Sequence, residues 1–234
     1  MPAYNAQSTL YDVYQGIDKT IVDRIILVDD CSIDKTVEIA KELGIETIVH
    51  NKNLGYGANQ KTCYKEALKD KDSVIVMLHP DNQYDPKLAV SLASMVASGV
   101  YDCAIASRVL LNSAWRSKMP RYKYFFNRLL TNFQNLLLKK KLSEYHSGYR
   151  AYSSRVLEKI DFESLDNDFI FDNQLLSLIC YNNYSIGEIS CPCKYFKDMS
   201  SISFAASIKY GLGVIGVSIE YFLAKLGFKN SIYK

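Results

Sequence analysis

Cysteine pairs at two-residue spacing are missing: the six cysteines, Cys31, Cys63, Cys103, Cys180, Cys191 and Cys193, lie scattered along the 234 residues. Zinc ribbons and thioredoxin-like redox sites are thereby excluded, and the reduced thiols of a cytoplasmic protein are expected. The Cys191-Pro192-Cys193 run is too tight for an easy disulfide and reads as strand or turn. Charge of one sign is not in marked excess, with 28 Lys and Arg against 25 Asp and Glu. A nucleic-acid partner therefore has no support in bulk charge. Long hydrophobic runs are absent as well. The most apolar late stretch, YGLGVIGVSI (210–219), lies between Lys209 and Glu220, short of the roughly twenty residues that cross a bilayer. No secretory leader pattern opens the chain, and no repeat, low-complexity tract or linker divides it. One domain over residues 1–234 is the expectation, with 205–228 a helix that packs on the domain or lies at a membrane surface.

What is present begins with enough apolar material, 48% of residues, to bury a sizeable core. IVDRIILVDD (21–30) is an apolar run ending in two acids, TVEIAKEL (36–43) has helical spacing, and IETIVHN (45–51) is strand-like again. The alternation continues through a helix at GANQKTCYKEALKD, a strand at 73–78, a helix at PKLAVSLASMVASG and a strand at 101–108. It predicts an α/β fold, a mostly parallel central sheet flanked by helices, with ligands at the carboxyl ends of the strands. Polar residues collect there: Asp29 and Asp30, Asp81 and Gln83, Ser107 and Arg108. Beyond them, Phe126, Leu129, Leu130, Phe133 and Leu137 repeat at helical spacing, which predicts a helix with that apolar face on the core. Core packing leaves Arg128 and Thr131, on other faces, unexplained. The basic run LLLKKKL (136–142) reads as a solvated helix end, with contact to anionic lipid or phosphate as the alternative.

Five segments, PAYNAQSTL at the start, VDDCSIDKT (28–36), NKNLGYGANQ (51–60), HPDNQY (79–84) and EYHSGYRAYS (144–153), stand in the order found in family 2 glycosyltransferases. The chain resembles that family along almost its whole length, most nearly the dolichyl- or polyprenyl-phosphate mannosyl- and glucosyltransferase branch. The resemblance implies a GT-A (Rossmann-like) fold and inverting transfer of a hexose from a GDP- or UDP-linked nucleotide sugar to a polyprenyl or dolichyl phosphate. It also implies a divalent cation, Mg2+ or Mn2+, and an enzyme working at the cytoplasmic face of a membrane. A diphosphate leaving group develops negative charge that a cation in hard oxygen ligands neutralises. Asp81 and Gln83, two apart on a loop after a strand, offer a carboxylate and a carbonyl to one ion. The family's first metal-motif aspartate is His79 here; a loop-packing histidine is the favoured reading, an imidazole ligand the other.

By the same resemblance Pro2, Tyr4 and Asn5 match a cradle for base and ribose, with Ala6 replacing a frequent glutamate. Asp30, beside Asp29, matches the acid that contacts the nucleoside, although helix capping would also explain it. Asn53, Gly55 and Gly57 sit where glycines let the backbone turn tightly and approach a ligand. Arg108 matches the arginine of a Ser-Arg element, and Arg128 with Thr131 resembles the branch's phosphate-binding helix. An anionic phosphate acceptor needs such cations rather than a strong base. Were the acceptor a saccharide hydroxyl, Asp172 would be the candidate base and His146 a weaker one. Arg150 is expected to brace the loop through Glu144, which stands where an aspartate is usual, or through Asp172. Lys197, Ser200 and Ser201 resemble a late loop closing over the diphosphate. GLGVIG (211–216) matches a dinucleotide fingerprint in letters only, since no β-α-β unit surrounds it. Family members carry a strand just upstream of the Pro-Ala-Tyr-Asn element, so either a longer natural chain or a sheet without its first central strand is expected. With His79 and Ala6, that feature motivates a further alternative, a non-catalytic nucleotide-binding scaffold.

Overall fold

The computed structural model describes residues 1–110, 119–194 and 204–233. Three strands, β1 (Pro2–Ala3), β2 (Ile26–Asp29) and β3 (Glu46–Val49), form one parallel ladder in the order β1-β2-β3. The short β1 lies within the Pro-Ala-Tyr-Asn element itself, and the Met1 nitrogen donates to the Ile26 carbonyl at 2.7 Å. A second ladder runs β4-β6-β5-β7, from β4 (Val74–Met77), β5 (Cys103–Ser107), β6 (Arg150–Ser153) and β7 (Ile186–Ser190). Here β5 and β7 are parallel, while β6 is antiparallel to both β4 and β5.

Side-chain alternation makes the two ladders one layer. Leu27, Ala104, Ala106 and Ala151 point into one hydrophobic cluster with α1 (Leu10–Gly16), α2 (Thr36–Glu42) and α4 (Leu88–Ala97). Val28, Cys103, Ile105 and Tyr152 point into the other, with α3 (Tyr56–Ala67), α6 (Ser154–Lys159) and α7 (Phe171–Tyr181). Burial on both faces explains why these strands read as continuous apolar runs. Each fully buried aliphatic side chain there contributes on the order of 1.5–3 kcal/mol.

The long α5 (Arg121–Leu138) forms where helical spacing predicts it. Its buried residues are Asn127, Thr131, Gln134 and Leu138, whereas Tyr122, Phe125, Phe126, Leu129 and Leu136 are each more than half exposed. The expected apolar face is split: Leu137 packs on the core and Leu130 and Phe133 are half-buried, whereas Phe126 and Leu129 are exposed, and a polar stripe also faces inward because it has partners there. The Gln134 amide donates to Asn173 Oδ1 at 3.0 Å, and Asn127 donates to Glu144 at 2.7 Å. The last helix, α8 (Phe204–Lys225), packs along α5 and α7 through Val214, Val217, Tyr221 and Ala224. Gly211, Gly213 and Gly216 fall inside it and not at a strand-to-helix turn. No helix among the described residues is long and apolar enough to cross a membrane.

Candidate functional site

The carboxyl ends of β1, β2 and β4 meet three loops stitched by side chains. Asn5, in the left-handed region at φ 51°, accepts from the Ile33 amide at 3.0 Å and gives its own amide to Ser32 Oγ at 2.8 Å. Tyr4 beside it is exposed, and Pro2 lies buried in β1. Asp29 is fully buried and accepts from the Ser32 amide at 2.8 Å, closing the turn after β2. Cys31, at φ 65°, carries the backbone strain of that turn. The Asp30 carboxylate holds the next loop: it accepts from the amides of Leu54 and Gly55, both at 2.9 Å, and pairs with His50 at 2.8 Å. Neither acid caps α2, whose Thr36 amide is held by Asp34 at 3.0 Å; they tie the two loops instead.

Gly55 has φ 100°, and a Cβ there would meet the Asn167 carbonyl at 2.6 Å; one on Gly57 would meet the Asp166 carbonyl at 2.6 Å. Close approach to the 166–167 backbone is thus what both glycines serve in the protein itself. Lys61 completes the seam by donating to the carbonyls of Glu163 and Leu165 and to Asn167 Oδ1. Asn53 stands exposed on the same loop.

After β4 the chain turns through Asn82, left-handed at φ 55°, between Asp81 and Gln83. Asp81 Oδ1 accepts from the Gln83 amide at 2.9 Å, an Asx turn that puts the two side chains on one loop. Asp81 Oδ2 and the Gln83 side-chain amide have no protein partner among the described residues, so a carboxylate and a carbonyl are available to a cation. No group of three or more His, Cys, Asp or Glu among the described residues forms a cage for one. Further ligands would come from a bound phosphate or water.

His79 packs in the same place, its Nε2 3.2 Å from Tyr56 Oη and its ring parallel to the tyrosine at 5.4 Å. The tyrosine in turn donates to Asp172 Oδ2 at 2.6 Å. Burial lowers the His79 pKa against the attraction of Asp81 and Asp172, and burial with Asp172 beside it pushes the Tyr56 phenol well above its ordinary range. The sequence reading weighed the glycines of NLGYGAN and passed over Tyr56 between them; an aromatic framed by two glycines at a helix start was the available signal.

A second polar cluster joins the end of β5 to α5. Arg108 grips Glu144 through its side chain and, at 2.7 Å, through its backbone amide. Burial would raise the Glu144 carboxyl, but Arg108 more than offsets this and holds it below the usual carboxylate range. Arg128 gives Nη1 to the Ser143 carbonyl at 2.6 Å, and its other donors have no partner among the described residues. Thr131 is fully buried, its hydroxyl 3.4 Å from Asn127 Oδ1. It shapes the floor of the cluster and offers no surface to a ligand. Arg150, fully buried, donates to the carbonyls of Ser147, Asp172 and Tyr145 and stands 4.0 Å from Asp172 Oδ1. Of its two proposed partners it takes Asp172, because Arg108 occupies Glu144. Asp172 Oδ1 and His146 Nε2 are buried without hydrogen-bond partners. Lys197, Ser200 and Ser201 lie outside the described residues.

A family model described as Glycosyl transferase family 2 matches residues 1–161. Polyprenol monophosphomannose synthase of Mycolicibacterium smegmatis is 27% identical over 197 residues, covering 81% of this chain and 74% of that protein. UDP-N-acetylglucosamine–dolichyl-phosphate N-acetylglucosaminyltransferase of Methanococcus voltae is 24% identical over 231 residues, covering 92% and 91%. Among solved structures, glucosyl-3-phosphoglycerate synthase from Mycobacterium tuberculosis in complex with UDP matches 98% of this chain and 79% of its own, at TM-score 0.71 and 17% identity. The same enzyme in complex with Mn2+, UDP and glucosyl-3-phosphoglycerate matches at TM-score 0.63 and 15% identity. At such identities the likeness shows the fold.

Proposed function

Because the chain belongs to glycosyltransferase family 2, we propose that it transfers a hexose, with inversion, from a GDP- or UDP-linked sugar to a polyprenyl or dolichyl phosphate. That it is a glycosyltransferase follows from the family; the acceptor is the proposal. Two relatives named for polyprenol and dolichyl phosphate chemistry support it. The observation that carries it is α5. Its outward face is aromatic and aliphatic, Tyr122, Phe125, Phe126, Leu129 and Leu136. Between Arg121 and Lys141 the sequence has Lys123, Arg128, Lys139 and Lys140 and no acid. An apolar face edged by cations suits the surface of an anionic membrane, where a polyprenyl phosphate resides. Exposed side chains of the adjoining α8, Leu212, Ile219 and Leu223, extend the same character.

In this reading the first loop and the turns at Asp29, Asp30 and Asn53 frame the nucleoside, with the exposed ring of Tyr4 free to stack on the base. Asp81 and Gln83 would hold a Mg2+ or Mn2+ ion, and Mn2+ accompanies UDP in the neighbouring synthase. Bound there, the cation supplies charge neutralisation for the departing diphosphate. The acceptor phosphate is already an anion, so the protein's part is to orient it. Arg128, with donors to spare beside Ser143, is the residue for that task, and Arg108 fixes Glu144 and the 144–146 loop next to it.

A second reading, transfer to a saccharide hydroxyl, has one observation in its favour: the buried Asp172 Oδ1 accepts no hydrogen bond and has only Arg150 at 4.0 Å, leaving it open to a substrate hydroxyl. Labelled-sugar transfer decides between them. Product on a short polyprenyl phosphate supports the proposal. Product on saccharides alone, abolished by Asp172→Asn, overturns it. Nucleotide binding with no transfer to either acceptor points to the scaffold. Calorimetry on Asp81→Ala is expected to show loss of cation-dependent nucleotide binding.

A further inference from the structure

The contact between Tyr56 and His79 fixes where protons sit. A phenol has one hydrogen, and that of Tyr56 goes to Asp172 Oδ2 at 2.6 Å. Asp172 Oδ2 accepts that hydrogen, and the Arg150 guanidinium stands 4.0 Å from the other oxygen. What Tyr56 Oη presents to the imidazole is therefore a lone pair. The 3.2 Å contact with His79 Nε2 is then a hydrogen bond only if Nε2 carries the hydrogen. In a neutral ring this leaves Nδ1 unprotonated.

Two further features show that the pair is built rather than incidental. Gly148 makes room for it: a Cβ there would lie 2.6 Å from His79 Nε2 and 2.9 Å from Tyr56 Oη. The rings are parallel to within 6°. Nδ1 itself has no hydrogen-bond partner among the described residues, and Asp81 follows two residues on, at the Asx turn of the same loop.

We propose that Tyr56, anchored on Asp172, locks His79 in the Nε2-protonated tautomer so that Nδ1 serves as a nitrogen ligand beside Asp81, biasing the cation site toward Mn2+ and away from Mg2+. This deepens the donor-site reading and rests on it. Mg2+ takes oxygen ligands almost exclusively, whereas the transition metals accept imidazole more readily along the series that begins at Mn2+. A tyrosine that fixes the tautomer is a positioning residue of the kind whose loss typically costs about 10- to 100-fold in metal affinity.

The test has two parts. Nitrogen-15 spectra of the side chains of the three histidines, recorded without nucleotide and assigned with His50→Gln and His146→Gln, read the tautomer directly. Nε2-H is expected for His79 in the parent and a tautomer mixture in Tyr56→Phe; Nδ1-H in the parent overturns the proposal. Calorimetry then measures UDP and GDP binding with Mn2+ or Mg2+ on the parent, His79→Asp and Tyr56→Phe. The expected parent prefers Mn2+ by about tenfold or more, His79→Asp narrows that gap, and Tyr56→Phe weakens Mn2+ more than Mg2+. Nucleotide binding with equal use of the two cations in parent and His79→Asp overturns this inference while leaving the donor site standing. No binding of either nucleotide with either cation, by protein whose melting is intact, overturns the donor site and the cation preference together.

Discussion

Burial lowers the pKa of His146 from 6.5 to about 4 against the attraction of Glu144, with Arg108 and Arg150 adding to the fall. Its ring is neutral at pH 7, with Nδ1 2.9 Å from Tyr210 Oη and Nε2 enclosed without a partner. The unfolded chain binds a proton at this position from about pH 6.5 downward, and the folded chain refuses it until about pH 4. Its contribution to stability is complete above the upper value and is lost as pH falls through that window. Melting temperatures measured between pH 7 and 4 should therefore drop more steeply for the parent than for His146→Gln; parallel curves would contradict the assignment. Residue identities of this kind were partly legible. Asp81 and Gln83 stand out because acid and amide types follow a buried strand. The engagement of Asp30 with the amides of Leu54 and Gly55 depends on a chain that returns twenty-four residues later, and no local pattern shows that.

Among the elements, β2, β4 and β5 were readable because burial on both faces writes itself as an uninterrupted apolar run. β6 and β7 were not. Arg-Ala-Tyr-Ser (150–153) hides its strand behind an arginine that caps three carbonyls, and Glu188 in β7 is held by the Ser143 amide at 3.0 Å. The inward polar stripe of α5 was equally hidden, since an amphipathic period gives the angle between faces and not which face is inward. The exposed part of α5 predicts that Phe125→Glu with Leu129→Glu leaves melting unchanged, both side chains being solvent-exposed in the free protein. Burying such a side chain in an apolar phase contributes about 1.5–3 kcal/mol, so the pair should weaken sedimentation with anionic vesicles by at least about tenfold. A melting temperature lowered by several degrees would mean instead that the face is packed against protein.

For the whole molecule, the period-two split of every central strand between two hydrophobic clusters is what makes an α/β protein of this sequence, and the alternation of strands and helices conveyed it. The antiparallel β6 conveyed nothing in advance, yet it holds the second ladder together, since β4 and β5 each pair with it and not with one another. During synthesis β4 and β5 leave the ribosome without their shared neighbour, and Met77 waits 73 residues (150 − 77) for its partner Arg150. At about 5–20 residues per second that delay is on the order of 4–15 s. The β1-β2-β3 ladder, complete at Val49, has no such wait. Nascent chains arrested before β6 should thus bind holdase chaperones through β4 and β5, and chains arrested after β6 has emerged should release them, an order that crosslinking on stalled ribosomes would read. The strand that closes the sheet also sets the moment at which the newborn chain ceases to be a chaperone client.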